Sequence, residues 1–276
     1  MNASEKKELK QNFEKFLKKE GMSDNTIISY SWTLNYYLEH YDSFSLSDLL
    51  KFKHAMDSDY CPSTANQRII AINTYLKSIK RKGVKLKVTK IQQKPFIENV
   101  ITDSDYKYLK KMLKKDGRLK YYFLIWYIAT TGARASEVIC FKCEDVEKGY
   151  MDITGKGRKY RRLYIPSKVR KETLEWLQNE NRDSGYLFLN NLGEQISPRG
   201  ISKQIKKYGT EYGISPDVLY AHSFRHLFAK NFLDKNKNDL PLLSDLMGHE
   251  SINSTMIYLR RSSTEQRQII EKTVTW

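Results

Sequence analysis

The sequence predicts a mainly α-helical protein with a small antiparallel β-sheet, arranged as a helical bundle followed by a mixed α/β unit. Three observations predict it. Apolar residues recur at helical spacing through most of the 276 residues. One stretch, "GYMDITG" and "KYRRLYIP", instead carries β-favouring residues in alternation. A polar, basic, weakly periodic segment, "VKLKVTKIQQKP", separates the first helices from the rest and reads as a linker.

The first ninety or so residues hold four helical patterns. "EKKELKQNFEKFLKKEG" places Leu9, Phe13, Phe16 and Leu17 on one face and stops at Gly21. "NTIISYSWTLNYYLEHY" repeats the pattern with Ile27, Tyr30, Leu34, Tyr37 and Leu38. "SLSDLLKFKHAM" opens on Ser45 and Asp48, which resemble a capping box. "PSTANQRIIAINTYLKSIKRKG" begins with Pro62, suited to a first helical turn, and closes at Gly83. The expected division is a helical domain over 1–88, a basic linker over 89–98 and a second domain over 99–276.

The second unit opens with Thr102 and Asp105 as a cap. An apolar helix over about Leu119 to Ala129 follows, then "TTGARASEVICF". The alternating segments form two strands joined by a hairpin whose tip is "GKGR". "SKVRKETLEWLQ" and "SPRGISKQIKKYGTEYG" are helices, the latter with Ser197 as cap, Pro198 in the first turn and Gly213 at the stop. The last third is mostly helical.

Composition narrows the function classes. With 40% apolar residues the chain can build a core. Its longest apolar run, Tyr121 to Ala129, is too short to span a bilayer. The polar start "MNASEKKELK" is unlike a signal peptide, and three cysteines offer no disulfide framework. A cytoplasmic, nucleoid-associated setting is expected, and the Lys-, Ile- and Asn-rich composition suggests an AT-rich bacterial genome. The 48 Lys+Arg against 32 Asp+Glu leave a net charge of +16, which favours a polyanionic partner. Two acid-free runs, Lys77 to Lys94 and Lys156 to Lys171, each hold eight basic residues. A charge run is usually a solvated face. One in each half fits a surface built along a phosphate backbone.

Six residues could act together on a phosphodiester. Arg134 stands before a short helix with Glu137 one turn on, as an ion pair or as an anion-binding guanidinium held by that carboxylate. In "YAHSFRHLFAKNF", His222 and Arg225 share a helical face, with Phe224, Leu227 and Phe228 opposite, and His226 is assigned to packing or surface. Lys156 sits on the hairpin tip, His249 follows Gly248, and Tyr258 lies nine positions on. Among 19 tyrosines, one more in a core is the ordinary expectation for Tyr258. Its alternative is chemical: two arginines can neutralise a phosphate, a lysine can protonate a leaving oxygen, histidines can move protons, and a tyrosine hydroxyl can attack phosphorus.

Other constellations are weaker. Cys140 and Cys143 with His222 and His226 mimic zinc ligands, but 78 residues separate the pairs where a finger has about a dozen. No acidic cluster accompanies the motifs, which disfavours a two-metal nuclease. "GKGR" lacks the pattern of a nucleotide-binding loop. No cofactor or metal is expected.

"ATTGARASEV", "GKGRKYRRLYIP", "HSFRHLFA" and "LMGHESINSTMIYL" resemble the four motif boxes of the tyrosine recombinase (phage integrase) family, in the family's order and across Thr102 to Leu259. The helical amino-terminal unit resembles its core-binding, SAM-like domain, and the rest its catalytic domain. The resemblance implies Tyr258 as nucleophile, Arg134 and Arg225 as paired arginines and Lys156 as general acid. It further implies His222 and His249 as the two histidines and Glu137 as a supporting acid. Lys159 is a near neighbour that could replace Lys156. The implied chemistry is metal- and ATP-independent transesterification through a 3′-phosphotyrosine. Two such exchanges would pass through a Holliday junction inside a homotetramer of C-shaped clamps on double-stranded DNA.

The free protein is expected to be a monomer or weak oligomer, with an accessory DNA-bending or directionality protein as a candidate partner. Arg68, Lys77, Arg158, Lys159, Lys203 and Lys206 are candidate DNA contacts. Ile269, Ile270, Val274 and Trp276 either pack on their own domain or dock on a neighbour. The length leaves no room for an arm-binding domain, which favours inversion, dimer resolution or simple integration. Alternatives are a type IB topoisomerase, which relaxes DNA without exchange, and a catalytically silent DNA-binding module.

Overall fold

The computed structural model describes residues 3–81, 83–91, 99–154, 160–236, 239–248, 255–259 and 263–274. It divides into two units, Met1–Gln93 and Lys94–Trp276.

The first unit is built from α1 (Ala3–Lys19), α2 (Asp24–His40), α3 (Leu46–Asp59) and α4 (Pro62–Ser78). The starts of α2, α3 and α4 have local causes. The Ser23 and Ser45 hydroxyls accept from the Thr26 and Asp48 N–H groups, and Pro62 occupies the first turn of α4. The apolar faces meet in a core of Phe13, Leu34, Tyr37, Phe52, Ile69, Ile72 and Tyr75. The start of the segment read as a linker is bound to this unit. Asn73 exchanges two 2.9 Å hydrogen bonds with the Leu86 backbone, and Asn66 two of 2.8 Å with the Thr89 backbone. Leu86 is buried. The two asparagine side chains supply ladder-like bonds to an extended segment, and nothing in its own periodicity shows that.

The second unit begins with α5 (Asp103–Lys115), capped by Thr102, and α6 (Leu119–Thr131). Helix α6 is apolar on nearly every side and forms the centre of the core, against which α11 (Ala221–Lys235) packs. Between them come α7 (Ala135–Val138), α8 (Cys143–Lys148), strands β1 (Tyr150–Thr154) and β2 (Tyr160–Tyr164), α9 (Ser167–Asn179) and α10 (Pro198–Glu211). The strands pair antiparallel, Met151 opposite Leu163 and Ile153 opposite Arg161, the one sheet among the described residues. Helix α12 (Leu240–Met247), a 3₁₀ turn at Ile257–Leu259 and α13 (Ser263–Thr273) complete the chain. No helix among the described residues is long and apolar enough to cross a membrane.

Candidate active site

The site forms where three helix ends and one strand converge. Helix α6 stops at Gly132, whose backbone is left-handed (φ +66°) and lies against the Phe228 ring. A Cβ there would sit 2.6 Å from that ring, so glycine allows both the turn and the close packing of α11. The turn aims the Gly132 carbonyl at Arg225, which donates to it at 2.5 Å and to the Met247 carbonyl at 2.8 Å. Arg225 is 1% exposed.

Arg134 caps α7. Its backbone N–H donates to Glu137 Oε2 at 2.6 Å, and its guanidinium donates to Glu137 Oε1 at 2.8 Å and to the Gly248 carbonyl at 3.0 Å. Its side chain remains 42% exposed, the open face of the cluster. Burial alone would raise the Glu137 pKa. The Arg134 N–H, the Arg161 charge and the Arg134 guanidinium outweigh it and hold the carboxyl below its ordinary 4.5. The ionised carboxylate therefore contributes stability above that range, and the contribution is lost as pH falls through the lowered pKa.

Arg161 is the residue that sequence reasoning missed. Alternation puts it on the inward face of β2 with Leu163, while Arg162 turns outward to Asp152 and Tyr150. Its side chain is 9% exposed and donates to Glu137 Oε2 at 2.5 Å and to the Leu246 carbonyl at 2.7 Å. An arginine on the apolar side of an alternating strand was the available signal. It was hidden inside a basic run that reads as solvated surface.

Arg134 and Arg161 share the Glu137 carboxylate, and Arg225 lies beside both of them. The three guanidiniums also donate to the carbonyls of Gly132, Leu246, Met247 and Gly248, at the ends of α6 and α12. Helix carboxy-termini carry partial negative charge and hold cations without neutralising them. Burial, with the neighbouring Arg134 charge, lowers the Arg225 pKa to about 10, so it stays protonated at neutral pH. The result is a preformed cluster of three guanidiniums, a setting suited to a phosphate.

Tyr258, on the 3₁₀ turn, is 6% exposed and packs with Ala229, Leu233, Leu243 and Met247. Its hydroxyl hydrogen-bonds with the Arg225 side chain. It is thus both a packed ring, as the ordinary expectation has it, and a hydroxyl on the cationic cluster. His226, assigned to packing or surface, is buried between two of the candidates: its ring lies 4.7 Å from both His222 and Tyr258. His222 reaches solvent, yet desolvation on its inner side and the Arg225 and Arg134 charges lower its pKa below 6.5, leaving the imidazole neutral at pH 7.

The structure therefore brings together Arg134, Glu137, His222, Arg225 and Tyr258. Lys156, Arg158, Lys159, His249 and Trp276 lie outside the described residues. Lys203 and Lys206 are exposed on α10, opposite buried Ile201 and Ile205. Lys77 is exposed, 3.6 Å from Glu20. Arg68 is engaged within its own unit: it donates to the Ser29 carbonyl and hydroxyl and to Thr33 Oγ1, and its guanidinium lies over the Trp32 ring. Cys143 is buried in the core and Cys140 is exposed.

Gly248 has a left-handed backbone (φ +60°), and a Cβ there would lie 2.7 Å from Arg161 Cδ. Gly248→Ala is expected to cost about 1–2 kcal/mol and to lower the Tm by several degrees. A thermal melt checks this, and an unchanged melt would show that Arg161 gives way freely.

Residues 99–265 match the phage integrase family. The tyrosine recombinase XerA of Pyrococcus furiosus is 29% identical over 274 residues, which cover 96% of this chain and 93% of that protein. The fold is similar to that of the Tn1549 transposon integrase in complex with circular intermediate DNA, with a TM-score of 0.71 and 15% identity over 97% of this chain and 99% of the other. It is also similar to a lambda integrase in a tetramer bound to a Holliday junction, with a TM-score of 0.71 and 13% identity over 91% and 76%.

Proposed function

The chain belongs to the phage integrase family, and from that premise we propose that it is a site-specific DNA recombinase acting through a 3′-phosphotyrosine. The observation that supports the mechanism is the Tyr258 hydroxyl against a buried arginine that stands beside two further guanidiniums. In the proposed first step the Tyr258 oxygen attacks phosphorus and the P–O5′ bond breaks. His222, neutral at pH 7, is suited to receive the phenolic proton. Lys156 gives a proton to the departing 5′ oxygen. Arg134 and Arg225 stabilise the charge that grows on the non-bridging oxygens. His249 completes the set. In the second step the 5′ hydroxyl of another strand attacks the phosphotyrosine and releases Tyr258. The bond is conserved in the covalent intermediate, so neither ATP nor a metal is needed to drive rejoining.

Assembly follows from the same reading. Relatives in fold include a tetramer on a Holliday junction, and a homotetramer on paired DNA sites is proposed here. Both units would contact the duplex, with the basic runs, Lys203 and Lys206 on phosphates. Ile270 and Val274 on and after α13 are 60% and 44% exposed, which supports docking of the tail on a neighbouring subunit.

The test uses nicked duplexes taken from DNA flanking the coding region, incubated with the protein in EDTA. An SDS-resistant adduct and joined strands between two duplexes are expected. Relaxation of plasmids without any joint product would favour the topoisomerase reading. Tight binding without an adduct would favour the silent module.

A further inference from the structure

Arg161 bridges the supports of both candidate phosphate-binding arginines. Through Nη2 it donates to Glu137 Oε2, the oxygen that also accepts the Arg134 backbone N–H, which leaves Oε1 to the Arg134 guanidinium. Through Nη1 it donates to Leu246 O at the carbonyl end of α12. The next two carbonyls of that end, Met247 and Gly248, are the acceptors for Arg225 and Arg134. Its methylene stem runs beneath Gly248, and β2 packs against α12. One planar fork thus fixes the rotation of a carboxylate and the position of a helix end. With a side chain only 9% exposed, it is held inside the protein.

We propose that Arg161 is a positioning residue for strand cleavage: it aligns Arg134 and Arg225 through Glu137 and the carbonyl end of α12. The inference rests on the recombinase reading. The fork is essential to it. A lysine has one compact charged nitrogen and cannot hold a carboxylate oxygen and a carbonyl on two separate arms. Displacing an aligned group by about 1 Å can cost about a hundredfold in rate without loss of binding.

The experiment measures two quantities for each variant, DNA Kd and the single-turnover rate of adduct formation on a nicked duplex. Arg161→Lys is expected to keep Kd within about threefold while the cleavage rate falls roughly 10- to 100-fold. Combined with Glu137→Gln, it should add little to the worse single variant, because both act through one contact. In Arg161→Ala, millimolar guanidinium ion should restore part of the rate at unchanged Kd, a response that general destabilisation does not give. The inference is overturned by wild-type cleavage in Arg161→Lys, by a fall in rate matched by an equal loss of affinity, or by full additivity with Glu137→Gln. Absence of an adduct with the wild type would instead remove the recombinase reading, and this inference with it.

Discussion

Tyr258→Phe is expected to abolish the covalent adduct while leaving the protein folded and bound to DNA. The ring stays, so its contacts with His226 and the packing among Ala229, Leu243 and Met247 persist. What is lost is one hydroxyl and its hydrogen bond with Arg225. The stability cost of that bond is about 0.5–1.5 kcal/mol. The chemical cost is of another order, because loss of a covalent nucleophile commonly costs about 10⁴-fold or more. Side-by-side adduct formation by wild type and variant, with Kd from a binding titration, measures both. A variant Kd within about threefold of wild type is expected, since phosphate contacts elsewhere carry the affinity. An adduct surviving in Tyr258→Phe would mean that another residue is the nucleophile.

Arg225 is expected to be costly to change in a different way, because it serves fold and chemistry together. Its guanidinium is buried and donates to the carbonyls of Gly132 and Met247, which belong to different helix ends. Arg225→Met leaves both carbonyls without that donor, at about 1–3 kcal/mol each. At roughly 2–4 °C per kcal/mol for a domain of this size, the melt should shift by many degrees. Arg225→Lys keeps the charge but cannot span both acceptors and a phosphate. It should melt closer to wild type and cleave about 10²–10³-fold more slowly, the scale of a lost oxyanion-type donor. Thermal melts and single-turnover cleavage separate the two effects. Wild-type cleavage by Arg225→Lys would remove Arg225 from the chemistry and leave it a structural residue.

Much of the molecule is readable one residue at a time. Helix α6 is announced by the apolar run from Tyr121, and α10 by Ser197, Pro198 and its amphipathic spacing. His222 and Arg225 sit three apart on one helix, so local geometry already directs both to one side. Other features become legible only in three dimensions, for reasons that are physical. Arg68 is a candidate DNA contact in a basic protein, and its own unit shows Ser29, Thr33 and Trp32 from α2 engaging its guanidinium. His226 packs as expected, and only α11 lying beside the 3₁₀ turn shows that its neighbour there is Tyr258. Nothing in the periodicity of Val84 to Thr89 shows that Asn66 and Asn73 bind it.

The sequence by itself determined the helical bundle, the hairpin strands and the cationic character, and it nominated a candidate set of phosphate-directed residues. These depend on periodicity, caps and side-chain chemistry, which are local. Only the tertiary structure decided what supports them. Glu137, Arg161 and the carbonyl ends of α6 and α12 come from stretches separated by up to more than a hundred residues, and no short-range pattern links them. A hydrogen bond between a buried guanidinium and a distant carbonyl leaves no trace in composition or spacing. It exists because packing α11, β2 and α12 around one core brings a helix's negative end to a charge that burial would otherwise expel.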